Sequence, residues 1–418
     1  MDLHTFIGQY PLLQITNHPI TKQIIMKTGM HFVFPATTKV FFGAGQLKNL
    51  HTLPMPGKKA MIVISNGKST RANGYLDRTE AELKQAGVEY VVLDNVQPNP
   101  LKASVEEGAK FANDNNCDFI VALGGGSVMD AAKIMAINAT NPGDLWDYAT
   151  GRTGKGKPAV NNPLPWIAIT TTAGTGSEVD AAGVITNPET NEKLGIGDPR
   201  AFAVYAIVDP ELMTSVPPQF TAYQGFDALF HSLEGYISNR SNLFSDMVQE
   251  AAIRNIGTYL PIAFKDGNNM EARARMAFAN TMSGYSMDTS GCTAEHSIEH
   301  ALSAYHEELP HGAGLIMISK AFFTTHINKH VCDERFVNMA KFLGKEDATK
   351  PEDFITALDN LKKACKVDDL KMSEYGIQPE EFDKMATNAL EVMGGLVALD
   401  REPLNHAEIV EILKASYK

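Results

Sequence analysis

The chain has 418 residues, 44% hydrophobic and 21% charged, enough apolar material for the cores of two domains. Its formal net charge of -12 argues against nucleic acid and anionic membrane surfaces as partners, because both reward a basic face. Cys117, Cys292, Cys332 and Cys365 are scattered and form no CxxC pair, which speaks against a disulfide framework and against a thiolate zinc site.

Residues 1–29 lack the basic start and unbroken apolar segment of a signal peptide and are expected to be an extension ahead of patterning that begins at Met30. No apolar run approaches the roughly 18 residues that span a bilayer, so no membrane partner is expected and the cytoplasm is the expected location. Residues 31–43, β-branched and aromatic but broken by Pro35, read as two short strands. Apolar runs at 60–65, 90–94, 118–126, 165–170 and 205–209 read as buried strands, and 75–86 and 102–116 as helices, the first stopped by Gly87. This alternation predicts a parallel sheet with helices on both faces. After Pro217-Pro218 the strand-like runs give way to helical patterns at 223–237, 244–259, 271–287 and 353–365. The expected layout is an α/β dinucleotide-binding domain over 30–210 and an all-α metal-binding domain over 211–418.

Gly124-Gly125-Gly126-Ser127 stands between a predicted strand and a predicted helix. Glycines there let the backbone approach a pyrophosphate, and the helix-start N–H groups face the anion. Asp130, one turn into the helix, can stabilise its start or bond a ligand hydroxyl. Alone, the triplet is equally a tight turn without a ligand. Residues 170–178 (TTTAGTGSE) strengthen the phosphate reading, since they place five hydroxyl side chains and two glycines in nine positions after another strand. The GxGxxG fingerprint is absent, so an ordinary Rossmann label does not apply. The strand 60–65 runs into Ser65-Asn66-Gly67-Lys68-Ser69-Thr70 with no carboxylate to hold ribose hydroxyls, whereas Lys68 and Ser69 suit a 2′-phosphate. NADP(H) is therefore favoured over NAD(H).

Of twelve histidines, four fall within sixteen residues: His296, His300, His306 and His311. His231 follows Asp227 by four positions, a spacing that shares one helix face, and His296 and His300 repeat it. These pieces can converge as one carboxylate and three imidazoles, a donor set suited to Fe2+ or Zn2+.

The motifs FGAG (42–45), PNP (98–100), GGGSVMD (124–130), TTTAGTGSE (170–178), DPELM (209–213), GFDALFHSLEGY (225–236) and PHGAG (310–314) stand in order along the chain. With them the chain resembles the iron-containing (group III) alcohol dehydrogenases over roughly residues 30–418. That family includes lactaldehyde reductase, 1,3-propanediol dehydrogenase and butanol dehydrogenases. The resemblance implies a dehydroquinate synthase-like two-domain architecture with a metal in the cleft, and a homodimer or larger homo-oligomer. It implies Asp227, His231, His296 and His311 as metal ligands and His300 as a catalytic histidine near the nicotinamide. It implies Gly125, Gly126, Ser127, Thr171, Thr172, Thr175 and Lys193 as cofactor-contacting positions. Gly67 stands where NAD-using members tend to carry Asp. One departure concerns the ligand spacing. His296 and His311 lie fifteen apart, one residue more than the family spacing. Aligning on His300 instead makes it the ligand and His296 its neighbour, and His306 is a third candidate. The activity so implied is hydride transfer between a nicotinamide and a small primary alcohol or diol, with a glycerol dehydrogenase or a dehydroquinate synthase-like lyase as alternatives.

Overall fold

The computed structural model describes residues 32–418; the extension expected over residues 1–29 lies outside them. The first half carries β1 (Lys39–Phe42), β2 (Lys59–Ser65), β3 (Glu89–Val96), β4 (Phe119–Gly124), β5 (Trp166–Thr170), β6 (Ala182–Asn187), β7 (Glu192–Gly197) and β8 (Tyr205–Val208). Its main helices are α1 (Tyr75–Gln85), α2 (Lys102–Asp114) and α3 (Gly126–Thr140). Strands β1, β8, β5, β4, β2 and β3, in that order, form one parallel sheet. Strands β2, β4 and β5 are short apolar runs because helices cover both faces, and nearly every residue in them is buried.

Two features depart from expectation. Of the expected strand segment 31–43, whose first residue lies outside the described ones, only Lys39–Phe42 forms a strand among the described residues. Pro35 has no N–H to offer a ladder, and Phe32 stacks on Phe244 while Phe34 packs tilted against the same ring and meets Tyr285 edge-on. The antiparallel hairpin of β6 and β7 has no strong alternation in its sequence. Tertiary contacts hold it: the buried Lys133 on α3 pairs with Asp180 and donates to the Ala182 carbonyl at 2.5 Å.

Helices α4 (Pro218–Ile237), α5 (Leu243–Lys265), α6 (Met270–Ser290), α7 (Ala294–Tyr305), α8 (His311–Asn328), α9 (Asp333–Phe342), α10 (Asp353–Ala364), α11 (Phe382–Val392) and α12 (His406–Ser416) build the second half. Proline is tolerated at the first position of α4, and Asn242 caps α5 by accepting from the Phe244 and Ser245 N–H groups. Phe226, Phe230, Phe322 and Phe323 centre its core, which locks α4 against α8. No helix among the described residues is long and apolar enough to cross a membrane.

Helix α6 joins the halves. Its Asn280 accepts from the Gly176 N–H at 2.8 Å and donates to Glu178 at 2.9 Å, and Thr281 donates to the same Glu178 oxygen at 2.8 Å. Gly284 lies so close to this loop that a Cβ on it would stand 2.3 Å from the Gly176 carbonyl oxygen. Neither backbone can yield without moving the loop. Gly284→Ala is therefore expected to destabilise the fold by about 1–3 kcal/mol, read as a lower urea midpoint. An unchanged midpoint contradicts this account of the join.

Candidate metal centre and cofactor groove

Three helices aim side chains at one point. Asp227 and His231 sit one turn apart on α4, so their side chains share a face. His296 and His300 do the same on α7. His311 opens α8 directly after Pro310. Gly312 lets that helix start against α4, since a Cβ there would stand 2.2 Å from the Tyr223 carbonyl oxygen.

The Nε2 atoms of His231, His296 and His311 lie 3.5, 3.7 and 3.5 Å from Asp227 Oδ1. Donors about 2.0–2.1 Å from a shared tetrahedral cation stand ~3.4 Å apart, so these separations fit one metal ion. Asp227 Oδ1 and His296 Nε2 are buried and have no hydrogen-bond partner among the described residues. Buried polar atoms without partners are costly unless something else satisfies them, and a divalent cation would.

Each far nitrogen has a defined environment. His296 Nδ1 pairs with Glu234, which also accepts from the Thr293 N–H at 2.7 Å and the Thr293 hydroxyl at 3.0 Å. His311 Nδ1 pairs with Glu299. Such carboxylates fix ring orientation and tautomer and raise the basicity of the other nitrogen. His231 Nδ1 has no partner among the described residues, and His231, Cys292 and His296 bring ligand-type atoms within 4.8 Å of one another. Burial opposes ionisation of Asp227, yet His231 and His311 hold its carboxyl well below the usual range. Burial pulls His231 down to about 4, so it stays a neutral donor at neutral pH. Burial, followed by the charge of Lys193, likewise keeps His300 well below an ordinary imidazole.

The structure separates the histidines that spacing alone left open. His296 joins Asp227 and His311, whereas His300 groups with Glu299 and His311. Its ring centroid lies 6.4 Å from that of His296 and 5.5 Å from that of His311. His306 is turned away, with Nε2 3.0 Å from Glu381. Sequence reasoning missed Glu234 and Glu299. The available signal was a repeated pattern, His-Ser-x-Glu, at 231–234 and 296–299.

The glycine turn lies at the carboxyl end of the sheet, where Gly124 is in register with Thr170. A Cβ on Gly125 would meet Thr172 Oγ1 at 2.8 Å, and one on Gly126 would meet Thr175 Cγ2 at 2.2 Å. The two loops thus pack as one cradle at the start of α3. Three cavities run from it in series. One of about 560 Å3 is lined by Ser65, Gly67, Lys68, Arg71 and Asp94. A second of about 320 Å3 shares Ser65 and adds Gly125, Gly126, Ser127, Thr172 and Thr175. A third of about 320 Å3 shares Ser127, Thr175 and His311 and reaches Lys193, His231, His296 and His300. Lys193 donates to Ser303 at 2.9 Å and Asn99 at 3.2 Å.

Asp130 also lines the third cavity, whereas other flagged residues fall elsewhere. Asp130 has both oxygens engaged, accepting from Ser177 Oγ at 2.6 Å and the Val184 N–H at 3.0 Å, so it pins the loop and hairpin to α3. Gly124 and Thr171 pair backbone to backbone at 2.9 Å and do not line these cavities. Ser69 instead starts the short helix Ser69–Ala72 and accepts from Asn73 at 3.2 Å. The expectation of no carboxylate beside this turn is also corrected, because Asp94 arrives from β3 and accepts from Arg71 at 2.7 Å.

The family model for iron-containing alcohol dehydrogenase matches residues 37–210, and that for the C-terminal part of the same family matches 221–417. The chain is 31% identical over 398 residues to NADH-dependent butanol dehydrogenase A of Clostridium acetobutylicum, covering 93% of this chain and 100% of the relative. It is 34% identical over 370 residues to 1,3-propanediol dehydrogenase of Citrobacter freundii, covering 86% and 92%. Among solved structures, an archaeal halo-thermophilic Red Sea brine pool alcohol dehydrogenase superposes with a TM-score of 0.86 at 32% identity, covering 93% and 99%.

If the buried donors hold a cation, Asp227→Ala is expected to abolish stoichiometric Zn2+ or Co2+ binding, and Glu234→Gln to weaken it by about 10–100-fold. Metal content after dialysis checks both. Full retention by Asp227→Ala contradicts the assignment.

Proposed function

Because the chain belongs to the iron-containing alcohol dehydrogenase family, we propose that it is a metal-dependent, nicotinamide-linked dehydrogenase of small primary alcohols or diols, running equally as an aldehyde reductase. The observation that carries this reading is the convergence of three imidazole nitrogens on Asp227 Oδ1 at the end of the groove that begins at the glycine turn.

Asp227, His231, His296 and His311 would hold Fe2+ or Zn2+, and the cradle at Gly125, Gly126, Ser127, Thr172 and Thr175 would hold the dinucleotide pyrophosphate against the start of α3. Bound there, the cation supplies Lewis acidity to the substrate oxygen, and the nicotinamide supplies or accepts the hydride. Glu234 and Glu299 orient two of the imidazoles. His300 lines the cavity with Nδ1 buried and unpartnered among the described residues, and its role is to hand a proton to or from the substrate oxygen. Lys193, anchored by Ser303 and Asn99, shapes the wall between cofactor and substrate. A lyase reading has less support, because the cavity lacks the several Lys and Arg residues that a carboxylate-phosphate substrate would need.

NADP(H) is the preferred cofactor in this proposal, with Lys68 and Arg71 lining the first cavity as cations for a 2′-phosphate. Asp94 favours a second reading, NAD(H), since a carboxylate at a strand end can accept from ribose hydroxyls.

The test is absorbance at 340 nm with alcohols and aldehydes, both cofactors, and Fe2+ or Zn2+ restored after chelation. The wild type should lose turnover on metal depletion and regain it. His300→Ala should keep its metal and lose about 10²-fold in kcat. Metal-independent turnover, or a fully active His300→Ala, contradicts the scheme. Arg71→Ala should raise KM for NADP(H) about tenfold and leave KM for NAD(H) nearly unchanged, reflecting a lost charged contact to phosphate. An equal change for both cofactors rejects the 2′-phosphate role.

A further inference from the structure

We propose that Asp288 reads the substrate in the histidine-lined cavity and that the alcohol it selects carries a second hydroxyl, remote from the carbon that is oxidised. This rests on the dehydrogenase reading above and narrows its substrate class to diols.

Asp288 lies on α6 and lines the same cavity of about 320 Å3 as His231, His296 and His300. Three features make it an expensive residue for the fold. Its Oδ2 is buried without a hydrogen-bond partner, and no ion pair engages it among the described residues. It stands in the last turn of α6, where the helix dipole presents its negative end to a carboxylate. Its electrostatic neighbours include the like-charged Asp180, while Lys133, the nearby cation, is already committed to Asp180 and the Ala182 carbonyl. Nothing among the described residues repays these costs. A half-buried carboxyl whose buried oxygen has no partner among the described residues, and that faces a ligand cavity, points to a ligand.

The chemistry of the surroundings selects a hydroxyl. Burial, reinforced by Asp180, pushes Asp288 up to about 8, so at neutral pH it is mainly a neutral carboxyl with one donor and one acceptor. A hydroxyl offers the complementary pair. An ammonium group gains little from a neutral carboxyl, and it would share the region with Lys133 and Lys193. Met287, Cys292, Met393 and Leu396 supply apolar wall in the same cavity, suited to the methylene spacer between two hydroxyls. A monohydric alcohol would leave the buried Oδ2 of Asp288 unsatisfied, which is how a polar site rejects an analogue that lacks a hydroxyl.

The experiment compares 1,3-propanediol with 1-propanol, 1,4-butanediol with 1-butanol, and 3-amino-1-propanol as the cationic analogue. Each is measured by kcat/KM and by thermal shift on the metal-loaded wild type, Asp288→Asn and Asp288→Leu. The wild type should prefer each diol over its matched alcohol by about ten- to a hundredfold. Asp288→Leu should bring that ratio close to one while the matched alcohols lose little. Asp288→Asn, which keeps a donor and an acceptor, should retain part of the preference. It also serves as the informative variant should the leucine form fail to fold. A ratio that neither variant changes, a wild type indifferent to the second hydroxyl, or a preference for the amino alcohol each overturns the proposal. Should no alcohol be oxidised while a diol still raises the Tm of the wild type but not of Asp288→Leu, the dehydrogenase reading falls and the recognition by Asp288 stands.

Discussion

One carboxylate oxygen, Asp227 Oδ1, organises the molecule's chemistry. Three imidazole nitrogens face it at 3.5–3.7 Å, too far for direct hydrogen bonds of good geometry and close enough to share a cation. Around this set lie two further carboxylates, Glu234 and Glu299, both fully buried. Such a concentration of buried negative charge is unfavourable by itself and becomes favourable only with compensating positive charge. Burial opposes the charged form of His296, yet the neighbouring Cys292 and Glu234 raise it well above the ordinary imidazole. A divalent cation would supply the missing positive charge.

Holding four donors in place requires rigid supports, and the helical half supplies them. Helices α4, α7 and α8 each contribute one or two donors, and all three are locked by the aromatic core around Phe226, Phe230, Phe322 and Phe323. The donors sit on helices, with α7 and α8 presenting theirs near their starts, so their geometry is set by packing of the elements rather than by flexible loops. In the connection between α7 and α8, His306 turns to Glu381 rather than to the other histidines.

The sheet half contributes the other wall of the groove. Its glycine turn and the threonine-rich loop interlock so tightly that Cβ atoms at Gly125 and Gly126 would strike Thr172 and Thr175. Lys133 and Asp130 fasten the same loop and the β6–β7 hairpin to α3. Through Glu178 and Asn280 the loop is then tied to α6. The helix that closes the cleft thus also carries Asp288 into the cavity beside the histidines. The glycine-turn cradle, the histidine cluster around Asp227 and the cavity wall at Asp288 are joined by one continuous set of buried contacts.

Much of this was legible in the chain. Apolar runs bounded by turn residues located the parallel strands, because strands covered on both faces must be apolar throughout. The i, i+4 pairs Asp227/His231 and His296/His300 were legible because helical spacing alone puts such residues on one face. What local pattern leaves undetermined is which side chains meet across elements. The β6–β7 hairpin, the arrival of Asp94 beside Arg71, the pairing of Glu234 with His296 and of Glu299 with His311, and the choice of His296 over His300 and His306 beside Asp227 all depend on how separate elements pack. Periodicity is a property of consecutive residues, whereas the Glu299–His311, Asp94–Arg71 and Glu234–His296 pairings join positions from 12 to 62 residues apart and exist only once the core has set the distance and angle between elements.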